Sequence, residues 1–376
     1  MFQLFSNKKE GKRSLILDIQ SGLVRGAIVL KKDDNSSLVT SLVTKAISGT
    51  TEIKNAEHLT KRTIKLLSEV VEHLARDNGS YELDKIEYIL SSPWVHSKLR
   101  TVKVKYDTET VVDKNTLMEI IKEDAADANT TKDSRLIERN IFDVRLNGYP
   151  TTNIVNKKAH ELEVSLVTSF SSDKFLSKVS ATVTKFFNCK NDTLHSGLLL
   201  QYTALRNILN DKNEFIYIHV HSELTDMIII KDGLCRHIAS YPFGIKTLLR
   251  KVSKSTKETI ESSDSMLSLY QGSKLSEVEQ NRMKDIVNPL ILEWNTLGSD
   301  SFKDIFDITN IPKTVYLSAH SHFDLFKQAL IFDNSFNFDV ISYESIDVGD
   351  NNIIFAKGVA QSNMMKIYAI ALNDKI

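Results

Sequence analysis

The residues best placed to do chemistry lie in two stretches about two hundred positions apart that align without a gap: Leu17-Asp18-Ile19-Gln20-Ser21-Gly22-Leu23 and Ile218-His219-Val220-His221-Ser222-Glu223-Leu224. Each is an apolar run, a polar turn centred on a serine, and a second apolar run ending at Val29-Leu30 or Ile229-Ile230, the pattern of a repeated β-hairpin. His219 and His221, two apart on a strand, project to one face and invite a zinc reading, but the spacing supplies no third ligand, so no metal is expected. Thr225 and Asp226 follow as ordinary strand-start chemistry. No Ser-His-Asp or Cys-His set, no Walker loop and no paired catalytic carboxylates stand out.

The elements that must position these turns are legible from periodicity. Leu38 to Ile47 reads as a third strand, and Ala56 to Ala75 as an amphipathic helix with Leu59, Ile64, Leu67, Val70, Val71 and Leu74 on one side. Asp77-Asn78-Gly79-Ser80 ends that helix, and Ile86 to Leu90 is a short buried strand running into Ser91-Ser92-Pro93-Trp94. Thr101 to Lys105 alternates like an exposed strand, Asn115 to Glu123 is helical, and Asp124 to Asp133 reads as a linker. A compact unit follows: a strand at Ile137 to Leu146, an Asn147-Gly148-Tyr149-Pro150 turn, a strand at Ala159 to Thr168, and a helix at Asp173 to Phe187 burying Phe175, Leu176, Val179, Val183 and Phe186. Leu198 to Leu209 is a helix before the second hairpin, which begins at Phe215 and is completed by a strand at Leu234 to Ser240. Helices at Ile245–Val252, Lys257–Tyr270 and Val278–Leu297 lead to the apolar strand Val315-Tyr316-Leu317-Ser318-Ala319-His320.

A duplicated hairpin opening each half of a chain of this length resembles the two phosphate loops of the actin, heat-shock chaperone and sugar-kinase superfamily. The strand, Asn-Gly-Tyr-Pro turn, strand, helix order between the hairpins resembles the small domain inserted in its FtsA/PilM-type members. Tyr241-Pro242-Phe243-Gly244 and Ala356-Lys357-Gly358-Val359-Ala360 match that type's proline-glycine and closing alanine-glycine segments, so the likeness spans about 15 to 362. It implies an α/β, actin-like (ribonuclease-H-like) duplicated two-domain fold with a small α+β domain inserted in the first half. Its first half would take residues 1–134, completed by about 190–213 and the C-terminal segment; the insert would take 135–189 and the second half 214–376. Trp94 would then stand near the interdomain cleft.

The nucleotide signature of that superfamily is eroded. Phosphate loops work through bare backbone, because glycine lets N–H groups point at phosphate oxygens with no Cβ in the way. The second loop usually reads Asp, an apolar residue, three glycines and Thr-Thr-Asp; here it carries His219, Val220, His221, Ser222, Glu223, Leu224, Thr225 and Asp226. A Glu223 carboxylate set ~4 Å from a phosphate in a partly desolvated site would repel it by several kcal/mol. Asp18, which by resemblance helps hold the metal and its water shell, is retained with Ser21 and Gly22, but Gln20 replaces a glycine. His219 replaces the second loop's acidic residue, and an imidazole is a poor ligand for Mg²⁺. Ala319 and His320 stand where relatives have the two glycines of an adenosine loop.

Composition narrows the function. Lys+Arg and Asp+Glu both total 48, so the chain lacks the basic field of a sequence-independent nucleic-acid binder. Glycine is 13 of 376 residues, about half the average share, too few for several backbone-lined phosphate sites. Cys189 and Cys235 give neither metal spacing nor a disulfide framework, as expected of reduced cytoplasmic thiols. No run approaches ~18 apolar residues, and Met1 to Arg13 lacks a signal-peptide core, so no transmembrane insertion is expected. The resemblance implies a non-catalytic cytoplasmic scaffold or adaptor, peripheral at the inner face of the cell membrane, most like the PilM-type component of type IV pilus assembly. Its partner would be an inner-membrane protein contributing a short cytoplasmic peptide, bound around Asn147, Gly148, Tyr149, Phe175 and Val179; self-association is the other contact the resemblance suggests. The pilus type is preferred over the division type because Ser362 to Ile376 has no clear apolar stripe of a basic membrane helix. No cofactor is expected. The alternative is a divergent ATP- and Mg²⁺-binding FtsA-like division protein or weak ATPase, with a membrane-tethered filament former behind it and a sugar kinase last.

Overall fold

The computed structural model describes residues 11–34, 36–47, 55–79, 81–113, 115–120, 122, 133–151, 156–209, 212–303, 310–332, 337–347 and 353–373. The expected linker at 124–132 and the N-terminal tip through residue 10 lie outside them. In the first half, β1 (Lys12–Ile19) and β2 (Leu23–Lys31) form an antiparallel hairpin that sets Asp18 opposite Arg25. β3 (Ser37–Ala46) extends it, and α1 (Ala56–Asn78) crosses back to β4 (Lys85–Leu90), which pairs parallel to β1. Asn55 caps α1 by accepting the His58 N–H at 2.9 Å, and Gly79, at φ 61°, ends it in the left-handed region that suits glycine. Leu59, Leu67, Val70, Val71 and Leu74 bury one stripe of α1 on the sheet, each contributing on the order of 1.5–3 kcal/mol. With β9 (Asp192–Ser196) and β15 (Ile353–Phe355), the sheet has the order β15-β3-β2-β1-β4-β9.

The second half repeats the plan. β10 (Phe215–Val220), β11 (Thr225–Lys231) and β12 (Leu234–Tyr241) form an antiparallel ribbon, and β13 (Thr314–Ala319) and β14 (Asp339–Ser342) add parallel strands, giving the order β12-β11-β10-β13-β14. Leaving β15 aside, both halves read third, second, first, fourth, fifth strand, so the duplication seen in the hairpins extends to whole sheets. Four helices cover the second half: Ile245–Thr256, Ile260–Gln271, Glu277–Asp300 with its Ser276/Glu279 capping box, and Phe323–Phe332.

The small unit departs from the sequence-based boundaries. Its sheet, in the order β5-β8-β6-β7, is built from β5 (His96–Val112), β6 (Ser134–Leu146), β7 (Tyr149–Pro150) and β8 (Lys157–Ser172). The strand at 96–112, assigned to the first half, is therefore an edge of the small sheet. The helix α2 (Asp173–Val183), assigned to the insert, instead buries Phe175, Leu176 and Val179 in the core beneath α1. A single strand and a single amphipathic helix carry no sequence mark of the sheet they will join, which is why both boundaries moved. The segment from Ser362, read as lacking an apolar stripe, contains the last helix, Asn363–Asn373, whose Met364, Met365, Ile367, Tyr368, Ala369 and Ala371 are buried against α3 (Gly197–Ile208). Its apolar residues occur on nearly every side, so no stripe is visible; such a helix is a buried one.

Candidate functional site

The two turns meet. A Cβ built on Gly22 would lie 2.0 Å from Ser222 Oγ and 2.5 Å from Ser222 Cβ, so the first turn presses its bare Cα on the side chain of the second. Gly244, after β12, supports the second turn equally closely, since a Cβ there would lie 2.5 Å from the His221 carbonyl and 2.6 Å from that of Ser222. The backbones are locked by His221 N–H to the Leu224 carbonyl (2.9 Å) and Gln20 N–H to the Leu23 carbonyl (2.9 Å).

Around this contact the structure gathers Asp18, Gln20, Ser21, His219, His221, Ser222 and Asp226, all buried. Gln20 bridges the halves: its amide donates to Asp18 Oδ2 at 3.0 Å, and its Oε1 lies 3.3 Å from His221 Nδ1. His221 Nε2 donates to Asp226 Oδ2 at 3.0 Å, and Ser240 Oγ donates to Asp226 Oδ1 at 2.5 Å. Burial pushes the Asp226 carboxyl upward, but the charge and hydrogen bond of His221, with hydrogen bonds from Ser240 and Ser92, outweigh it and hold the group below its ordinary range. Asp18 goes the other way. Its desolvation exceeds the help of Arg25 (Nη1 3.5 Å away), Gln20 and His221, raising its pKa, and its Oδ1 has no hydrogen-bond partner among the described residues. Ser21 Oγ is likewise buried and unpartnered.

His219 and His221, on one face of the strand, lie ring beside ring with centroids 3.8 Å apart and planes tilted by 31°. His219 Nδ1 lies 3.2 Å from Gln201 Oε1, which also accepts from Tyr217 at 2.6 Å, while Gln201 Nε2 donates to Tyr368 at 2.7 Å. Burial first, then the charges of His221, His320 and Arg25, hold His219 well below the usual imidazole range. A neutral imidazole can ligate zinc, yet among the described residues no group of three potential metal ligands occurs.

Two of the residues singled out from sequence are engaged elsewhere. Glu223 is turned to Arg250 on the 245–256 helix, bound through both carboxylate oxygens at 3.1 and 2.7 Å. The expectation that its carboxylate would stand in a phosphate's place takes no account of this partner, which sequence spacing does not reveal. Thr225 is a core hydrogen-bonding centre, donating to the Phe243 carbonyl at 2.6 Å and accepting from Trp294 Nε1 at 2.9 Å. Ala319, half-buried, ends β13, and His320 follows it.

The five residues expected to hold a peptide do not share a surface. Asn147 and Gly148, at φ 52° and 82°, form the two-residue turn joining β6 to β7, and Asn147 Oδ1 accepts from the His160 and Glu161 amides. Tyr149 is 77% exposed, whereas Phe175 and Val179 are buried with the α1 core, where Phe175 stacks on Trp94 at 4.2 Å between ring centroids. Trp94 thus sits within the first-half core. Arg25, Gln201, Ser240 and Arg250 were missed from sequence. Arg25 alone was recoverable, since counting outward from a two-residue turn at Ser21-Gly22 sets it opposite Asp18.

No family profile matches the chain, and no curated protein sequence is detectably related to it. Among solved structures, it superposes on a chain of the PilM–PilN type IV pilus biogenesis complex with a TM-score of 0.64 and 13% identity, covering 96% of both chains. A looser superposition, with a TM-score of 0.44 and 10% identity over 98% of this chain and 99% of the other, is to a Bacteroides thetaiotaomicron protein described as having an actin-like ATPase fold and unknown function. The chain has the actin-like fold, with two sheets of the same strand order whose hairpin turns meet at Gly22 and Ser222, and a small third sheet.

Proposed function

We propose that this protein is a non-catalytic actin-like scaffold that works in the cytoplasm at the inner face of the membrane and binds a short peptide of a membrane-anchored partner. The observation that carries the reading is the contact of Gly22 with Ser222, reinforced by the Gln20–His221 bridge. A triphosphate lodged between Ser21 and Ser222 would require both to break and the buried imidazoles to find new partners. The likeness to a chain of the PilM–PilN complex supports the choice of a peptide-binding adaptor over other non-catalytic roles. Isothermal titration with ATP and Mg²⁺ tests the first part: micromolar binding with turnover would retire it. Capture on the immobilised protein tests the second, and recovery of a membrane protein with a short cytoplasmic segment is the expected result.

One observation favours the alternative of a divergent nucleotide-binding protein. Asp18 Oδ1 and Ser21 Oγ are buried at the first turn without hydrogen-bond partners among the described residues, and native structures seldom leave such groups unmatched. The titration separates the readings.

A further inference from the structure

Far from the cleft, at the opposite end of β1 and β4, lies a cavity of about 470 Å³. Its lining follows the strand alternation: Lys12, Ser14 and Ile16 on β1, Val29 and Lys31 on β2, Lys85 and Glu87 on β4. This is the sheet face that carries the last helix, α8 (Asn363–Asn373), whose Ala369 and Leu372 form the apolar wall.

The charges there are unevenly matched. Glu87, 4% exposed, is held by Lys85 at 2.7 Å and by His195 at 2.9 Å, and Asp84 Oδ2 accepts the Arg13 N–H at 2.8 Å. Glu87 is thus matched by Lys85. Lys12 and Lys31 are direct cross-strand partners in the β1–β2 ladder, and among the described residues neither has a carboxylate within ion-pair distance. Like charges directly opposite each other destabilise a ladder. Two facing lysines over an apolar floor of Ile16 and Val29 are complementary to an anion with an apolar body, and the volume falls in the range of small-molecule sites.

We propose that this cavity binds an apolar carboxylate, its head group between Lys12 and Lys31 and its aliphatic body on Ile16, Val29, Ala369 and Leu372. The carboxylate belongs to a free amphiphilic acid or to the C-terminus of an apolar peptide, and one experiment separates these sources. The full chain is titrated calorimetrically with decanoate, acetate, decylamine and the peptide acetyl-Ala-Leu-Leu-Leu with a free C-terminus. Decanoate, the peptide or both binding at least tenfold more tightly than acetate and decylamine supports the site, and their relative affinity assigns the source. Lys31→Glu gives the control: it places opposite charges across the ladder, so thermal stability is kept or raised while anion binding falls at least tenfold. Lys12→Glu does the same from the other strand. Decylamine binding as well as decanoate, no saturable binding of either carboxylate, or carboxylate binding unchanged in both folded variants would each overturn the proposal.

Discussion

Replacing Gly22 with alanine probes the contact between the two turns. Gly22 does not lie at positive φ, so alanine meets no backbone penalty there, and its effect is the collision of one methyl with Ser222 Oγ and Cβ at 2.0 and 2.5 Å. Neither atom can retreat far: Ser222 is buried, and its carbonyl accepts from the Lys246 amide at 2.7 Å while backing on Gly244. Overpacking of this kind costs about 1–3 kcal/mol, and at about 2–4 °C per kcal/mol for a unit of this size the melting temperature falls by roughly 2–12 °C. Ser222→Gly removes both colliding atoms, so the double variant recovers much of the loss, with a coupling of about 0.5–3 kcal/mol in a thermal-denaturation cycle. Full stability in Gly22→Ala, or additive losses in the double variant, would show that the turns do not touch and would remove the main support for a closed cleft.

Other consequences follow from the buried network. Because folding holds the His219 pKa below its unfolded value near 6.5, the unfolded chain binds more protons below that pH; His219 is fully compatible with the fold above it, and stability falls as the pH drops from about 6.5 toward the lowered value. Chemical denaturation at pH 7.5 and 5.5 will show this slope, flattened in His219→Phe. Asp18→Asn removes a buried carboxylate whose raised pKa means that its ionised form costs stability, so the melting temperature at pH 7.5 will be unchanged or higher; a loss of several degrees would mean that the charge is needed. Thr225→Val strands the Phe243 carbonyl and the Trp294 indole N–H, costing about 1–3 kcal/mol, with a changed near-ultraviolet dichroism of the buried Trp294. Arg250→Ala leaves Glu223, whose side chain is 16% exposed, without its two-pronged partner, so the cost is about 1–3 kcal/mol in urea melts.

What the sequence determined by itself was the repeat and the elements within it. Two aligned apolar–polar–apolar stretches fix two hairpins, because strand pairing and face alternation are local rules, and the Leu67, Val70, Val71 and Leu74 stripe fixes α1 for the same reason. The glycine poverty of the second turn was equally plain, since Cβ atoms are read directly from residue names. Long-range partnership was decided only in the tertiary structure. Nothing in spacing joins Gln20 to His221, Glu223 to Arg250, or Gly22 to Ser222: the first and last pairs form where the turns of the two halves meet, and Glu223 meets Arg250 where the 245–256 helix packs beside the second turn. The same holds for β5 and α2: their patterns say strand and amphipathic helix, but which sheet and which core they complete depends on the surface each finds to bury. The last helix, Asn363–Asn373, is the limiting case, apolar on nearly every side and silent about direction until the first sheet and α3 enclose it.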